Sequence, residues 1–454
     1  MFKKLNFFLL LIAALIFSAS GFDEAVQAEP LLLIKNANLI DGTGRPMRRG
    51  IHIVVENGSF KEIGKDIKVP GNARVIDASR NTIIPGIIGA HNHMHIPGNT
   101  FLGEAGSKLY LASGVTTIQT CGSASPFKEL ELSKEIEKAI TIGPEIIPSA
   151  PYFTGPGGNP NMIIPRSEKH LKDTLNFWLD KGIKWVKVYR NIRPSDLEII
   201  IKEAHEAGAK VRGHLCSVTF EEAALMGIDV IEHGLNSASD FRTHKANGKC
   251  SGGREYMDEL DTGSEEVRKL LQLLIDNDVS LNSTLAIYEA SIPGRAFAED
   301  RSINLMSEDL REAYKNRMKN HRESEADGRI RRDRLKRIMA FEKLFYKMGG
   351  NLTSGVDAGR HVLPGFGDQR NFELLIEAGF TTEEAIKIMT GNGAKMLSRH
   401  EIGTIEAGKR ADFVILKGDL SEQASVIKEV ENVYKNGVRY DPELLLEGLQ
   451  IGRE

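Results

Sequence analysis

Pro85-Gly-Ile-Ile-Gly-Ala-His-Asn-His-Met-His95 is the stretch from which the fold can be read. Ile83, Ile84, Ile87 and Ile88 form an apolar run that leads straight into His91-Asn92-His93. In a β-strand, side chains at i and i+2 share a face. His91 and His93 are therefore expected to project together from the end of a buried strand, where two neutral imidazoles can hold one metal ion. Taken alone, a His-x-His pair more often marks ordinary surface or core histidines. Here the rest of the chain supplies further ligands in order.

The chain has 454 residues, enough for a large core and a smaller one. Its 59 basic and 62 acidic residues leave a net charge of −3, which favours neither nucleic acid nor an anionic membrane as partner. Lys3 and Lys4 precede an apolar run from Phe7 to Phe17, followed by small and polar residues. That is a secretory signal pattern, with Val26-Gln27-Ala28 as the cleavage site and residues 1–28 as the leader. The mature protein is expected to be exported (periplasmic or extracellular) and free of the membrane. Three cysteines leave at least one free thiol. Cys121 and Cys216 read as small buried residues near strand ends and Cys250 as a loop residue; the sequence permits a disulfide but does not predict one.

Outward from Pro85, residues 29–84 read as short strands and tight turns: Leu31 to Ile34, Ile51 to Val55, and Arg74 to Asp77. Glu56-Asn57-Gly58 is a hairpin signal. From Pro85 to Leu397 strands alternate with helices, which implies a parallel sheet with helical crossovers. Strand ends fall at His91, Thr116 to Gln119, Ile146 to Pro148, Trp185 to Tyr189, Val211 to His214, Val230 to His233, Val279 to Asn282, and Leu352 to Asp357. Eight is the number that closes a (β/α)8 barrel. The highly charged residues 300–340 read as exposed helices, and Asn236 to Asp261 as a loop over the site. After Leu397 the strand-and-turn pattern returns. Residues 398–454 are expected to join 29–84 in a composite β-sandwich around the inserted barrel, 85–397.

The strand ends carry His91 and His93, then Lys187, His214, His233 and Asp357. In such barrels active sites lie at the C-terminal ends of the strands. With these residues in place, the chain resembles the metal-dependent amidohydrolase superfamily. Asp41-Gly-Thr-Gly44, Gly114-Val-Thr-Thr117, Ile231-Glu-His-Gly234, Val356-Asp-Ala-Gly359 and Gly403-Thr-Ile-Glu-Ala-Gly-Lys-Arg-Ala-Asp412 carry the likeness alongside the His-x-His segment. The pattern around Lys187-Val-Tyr189 and Ile231 to Gly234 is most similar to the branch with imidazolonepropionase-like proteins and Xaa-Pro or Xaa-Arg dipeptidases.

The resemblance implies two divalent metal ions, zinc favoured, with iron, cobalt and manganese also suited to such ligands. His91, His93 and Asp357 would hold one ion and His214 and His233 the other. Lys187, carboxylated by CO2, would bridge them as a carbamate; Lys184 is its rival on the same strand. A metal-bridged hydroxide would attack a carbonyl, with Asp357 as general base and Tyr189 donating a hydrogen bond to substrate. Arg190, His95, Arg360 and His361 fall near the strand ends and offer positive charge for a terminal carboxylate. Two departures stand out. Gly89 replaces the family's usual Asp two residues before the first metal histidine, which removes a supporting carboxylate. No acid follows His214 closely, which disfavours deamination. The expected activity is hydrolysis of an amide C–N bond in a small molecule such as a dipeptide or N-acyl amino acid. A lactone or phosphotriester hydrolase with the same centre is the alternative. A homo-oligomer stays open.

Overall fold

A computed structural model describes residues 30–68, 71–96, 100–326 and 332–452. The expected leader, 1–28, lies outside the described residues. Strands β1 (Leu31–Leu39), β2 (Arg48–Glu56), β3 (Ser59–Gly64), β4 (Arg74–Asp77) and β5 (Asn81–Pro85) open the chain. Asn57 and Gly58 make the turn between β2 and β3, both with positive φ, the conformation this tight hairpin requires.

The next strands are β6 (Ile87–Asn92), a short antiparallel pair β7 (His95–Ile96) and β8 (Thr100–Phe101), β9 (Val115–Thr120) and β10 (Glu145–Ile147). They are followed by β11 (Trp185–Val188), β12 (Lys210–Gly213), β13 (Val230–Glu232), β14 (Ser280–Ser283) and β15 (Leu352–Ser354). Two wholly parallel arcs result, ordered β10-β9-β6 and β11-β12-β13-β14-β15. All eight expected strands appear, separated by helices. Hydrogen bonds cross both gaps between the arcs. Ala150 N donates to Trp185 O (3.0 Å) and Phe153 N to Lys187 O (2.9 Å) at one gap. At the other, Asp357 N donates to His91 O (2.8 Å) and Val356 N to the Asn92 side-chain oxygen (3.0 Å).

The second gap explains two glycines. A Cβ on Gly355 would stand 2.2 Å from the His91 backbone nitrogen, so only a bare backbone can pass there. A Cβ on Gly89 would fall 2.0 Å from the Asn92 amide nitrogen. The carboxylate expected at position 89 is thus replaced by room for Asn92, which reaches across to the strand that leads to Asp357.

The chain's last strands are β16 (Phe413–Lys417), β17 (Val430–Lys435) and β18 (Val438–Tyr440). One mixed sheet, β18-β17-β16-β5-β1-β2-β3 with β4 beside β1, joins both ends of the chain. β16 lies antiparallel to β5, with Phe413 opposite Pro85. Alternation divides its side chains. Phe413 and Ile415 face the sheet's own core, where Phe413 stacks on Tyr434 at 4.3 Å. Val414 and Leu416 join the core of the parallel arcs.

Residues 300–340 differ in part from expectation. Helix Glu308–Ala326 is rich in charge, but Arg332–Lys347 buries Leu335, Ile338, Met339, Phe341 and Phe345. These apolar residues recur at helical spacing within a charged stretch, so one stripe packs inward, with Glu342 buried alongside it, while most of the charges stay nearer the surface.

Replacing Gly355 with Ala is expected to cost at least about 1–3 kcal/mol, because backbone rather than a flexible side chain must move. A thermal unfolding curve indistinguishable from that of the parent would show that the close approach does not matter.

Candidate metal centre

The six residues expected as ligands meet in one cavity of about 730 Å³ at the C-terminal ends of the parallel strands. His91 leaves β6, and Asp357 lies three residues past β15 with φ +46. His233 follows β13 with φ +70. Both are non-glycine residues in the left-handed region, a strained setting that the surrounding hydrogen bonds hold in place.

His91 Nε2 is 3.6 Å and His93 Nε2 3.1 Å from Asp357 Oδ1. The donor atoms of these three residues all lie within 4.8 Å of one another. The other nitrogen of each ring is engaged behind. His91 Nδ1 is 2.5 Å from Glu232 Oε2 and His93 Nδ1 is 3.3 Å from the Tyr152 hydroxyl. Two imidazoles fixed from behind, with their free nitrogens converging on one carboxylate oxygen, fit a divalent transition ion.

Glu232 lies within the Ile231-Glu-His-Gly234 motif, at the end of β13. It is fully buried. Its Oε1 accepts from Arg212 Nε and lies 3.7 Å from Lys187 Nζ, while Oε2 faces His91. Burial opposes its ionisation, but Arg212, Lys187 and His91 outweigh burial and hold the carboxyl well below its usual range. It must therefore accept from His91 Nδ1–H, which leaves Nε2 unprotonated for a ligand. The contact expected to vanish with Gly89 is supplied from the neighbourhood of β13 instead. Arg212, also fully buried, bonds Gln119 as well and lies against the Trp185 ring at 5.5 Å.

His214 and His233 form the second pair, with ring centroids 4.5 Å apart; His233 lies 4.8 Å from His91. His233 Nδ1 contacts Thr284 Oγ1 at 2.9 Å, so its Nε2 remains available. Lys187 is 1% exposed and lines the cavity, its Nζ donating to Cys121 Sγ at 2.9 Å. Burial pushes that thiol up to about 12, so it stays protonated. Lys184 reaches away and donates to Ala207 O.

Tyr189 lines the cavity with its ring 4.8 Å from His214. Tyr152 and Tyr288 also line it and had not been singled out. Burial raises all three phenols, leaving neutral hydroxyl donors. Tyr152 sits four residues beyond the assigned end of the third strand, past the reach of a strand-end rule. His95 and Arg360 line the cavity, whereas His361 is buried outside its lining and Arg190 contacts Cys250 Sγ.

Cys216 and Cys250 form a disulfide, which leaves Cys121 as the free thiol. Cys216 lies two residues beyond His214, and Cys250 belongs to the loop from Asn236 to Asp261, whose Asn236, Arg254 and Met257 wall the cavity. The signal was a cysteine just past a ligand-bearing strand and another in a loop assigned to cover that strand's end.

The family model for amidohydrolases matches residues 82–439. The chain belongs to the amidohydrolase family. A dihydroorotase of Geobacter metallireducens is 33% identical over 100 residues, 22% of this chain and 23% of that protein. The match thus spans under a quarter of that relative's length. A solved structure described as a putative prolidase from Bifidobacterium longum superposes with TM-score 0.68 at 20% identity, covering 93% of this chain and 99% of the other. A Xaa-Pro dipeptidase structure with bound methionine gives 0.66 at 18% identity over 90% and 100%. At these identities the amidohydrolase members share the fold.

Glu232→Gln keeps the shape but removes the acceptor charge. Divalent-metal affinity is expected to fall about 10–100-fold, read by competition with a chelator. Glu129→Gln is the comparison, since burial already pushes that carboxyl up to about 8 and favours its neutral form. Equal affinities in the two variants would remove the assigned role of Glu232.

In the metal-free protein, burial holds His91 down to about 4 and His233 to about 3, against the ordinary 6.5. The unfolded chain then binds more protons on acidification. Stability should be full above about pH 6.5 and fall as pH drops toward 4, by up to about 1.4 kcal/mol per unit per histidine. Flat denaturant midpoints across that window would contradict buried neutral rings.

Proposed function

We propose that the protein hydrolyses the amide C–N bond of a small substrate, a dipeptide or N-acyl amino acid. The observation that carries this reading is the convergence of His91 Nε2 and His93 Nε2 on Asp357 Oδ1 at the floor of the cavity. His91, His93 and Asp357 would hold one divalent ion and His214 and His233 a second, with zinc favoured and Lys187, as its carbamate, between them. When bound, such ions lower the pKa of water and polarise a carbonyl.

The chain's own residues would do the rest. Burial opposes ionisation of Asp357, but His91, His93 and His233 outweigh it and keep the carboxylate charged. It is placed to accept a proton from attacking water and pass it to the leaving amine. Tyr189 and Tyr152 offer neutral hydroxyls toward the carbonyl oxygen or a substrate carboxylate. Strands β6 and β9–β15 are read as one closed (β/α)8 barrel, with the sheet from both chain ends as its composite companion. The Cys216–Cys250 disulfide supports an oxidising compartment, in keeping with export.

The test is a mass-spectrometric hydrolysis screen on zinc-loaded protein lacking residues 1–28, with dipeptides, N-acyl amino acids, lactones and phosphotriesters. Amide cleavage is expected, abolished by Lys187→Ala along with loss of bound metal. Turnover confined to lactones or phosphotriesters would reassign the reaction.

A further inference from the structure

Among the described residues, the cavity carries positive charge that its lining carboxylate does not neutralise. Arg254, Arg334 and Arg360 line it, and among the described residues Asp357 is its only lining carboxylate. Arg334 is spent, since its Nε and Nη2 each bond Asp258 at 2.8 Å. Arg254 and Arg360 have no carboxylate within ion-pair distance among the described residues.

Both arginines are nevertheless held in place, and on the same support. Helix Leu285–Glu289 follows β14. Arg254 Nη2 donates to Asn236 Oδ1 (2.8 Å), and Asn236 Nδ2 donates to the Tyr288 hydroxyl (2.7 Å). Arg360 Nη1 donates to Ile287 O (2.6 Å) and to Ser291 Oγ. The two guanidiniums therefore reach the cavity from different loops, beyond β13 and beyond β15, braced at adjacent residues of one short helix. Arg360 uses only Nη1, which leaves its Nε and Nη2 edge for a carboxylate. Arg254 spends Nη2 on Asn236 O and Oδ1 and its Nε is buried, so it presents a fixed positive charge rather than an open fork. Two separately fixed guanidiniums suit two carboxylates.

We propose that the substrate is a dicarboxylate: an amide whose amino-acid part bears a terminal carboxylate and an acidic side chain, as in Xaa-Glu, Xaa-Asp or an N-acyl acidic amino acid. Arg254 and Arg360 are its specificity-determining residues. This rests on the amide-hydrolase reading above, and it adds the charge of the substrate.

The experiment compares kcat/KM of zinc-loaded protein for Ala-Glu against Ala-Gln and for N-acetyl-glutamate against N-acetyl-glutamine. The acidic member should win by on the order of ten- to a hundredfold, mostly through KM. In the Arg254→Met, Arg360→Met double variant that ratio should collapse toward one. Equal or better turnover of the neutral member, or a preference that survives the double variant, overturns the proposal. A parallel calorimetric titration with glutarate and butyrate, neither of which can be cleaved, separates the two readings. Tighter glutarate binding that depends on the arginines, without any amide cleavage, would uphold the dicarboxylate pocket and sink the amide reaction. Amide cleavage with no acid preference and no glutarate preference would do the reverse.

Discussion

The carboxylate of Glu232 is the contact on which the centre depends. It touches Arg212, Lys187 and His91, which come from three other strands. A buried charge is tolerated only when its lone pairs are filled and its sign is matched. Here that requirement fixes the rotation of the His91 ring and directs its free nitrogen upward into the cavity. The strands around it must keep their register, because a one-residue slip would turn each of these side chains to the opposite face. Floor and cavity are therefore coupled: the same ion pair that makes the interior polar also orients His91, the first candidate metal ligand.

Much of this was legible in the sequence, for reasons that can be named. Most of the candidate ligands sit at or near the end of a short apolar run, and strand ends are what period and β-branched composition reveal well. Pro85 to His95, Val230 to His233 and Leu352 to Asp357 each combine such a run with chemistry at its terminus. What escaped notice depends on distance across the fold. Glu232 looks like one more strand residue until Arg212 and His91 are seen on either side of it. Gly89 looks like a missing acid until Asn92 is seen filling its space. The buried stripe of Arg332–Lys347 was hidden by the charges around it, since composition averages over faces that a helix separates. The Cys216–Cys250 pairing joins a strand end to a loop tip, and no spacing rule fixes such a pair.

The cavity is built in two layers. Its floor comes from parallel strands whose backbone groups are mutually bonded. Its wall comes from longer loops held by side chains and a disulfide: Cys250 to Cys216 beyond β12, Asp258 to Arg334, Asn236 to Tyr288, and Arg360 to Ile287 among them. Such a division lets the same floor serve different substrates through changes in the wall. The family assignment speaks to the floor, and the arginines speak to the wall.

The pairing of β16 with β5 reaches beyond the finished structure. As the chain emerges from synthesis, β5 can find β1 at once, but its other edge has no partner until Phe413 and the residues after it are made. Through that interval an apolar strand edge, including Ile83 and Ile84, stands open to pairing with other chains. Closure of the sheet is thus a late, long-range event whose loop entropy is met only when the last tenth of the chain arrives. A nascent or truncated chain that ends before β16 is for that reason an aggregation hazard, even though every residue facing the cavity is already present.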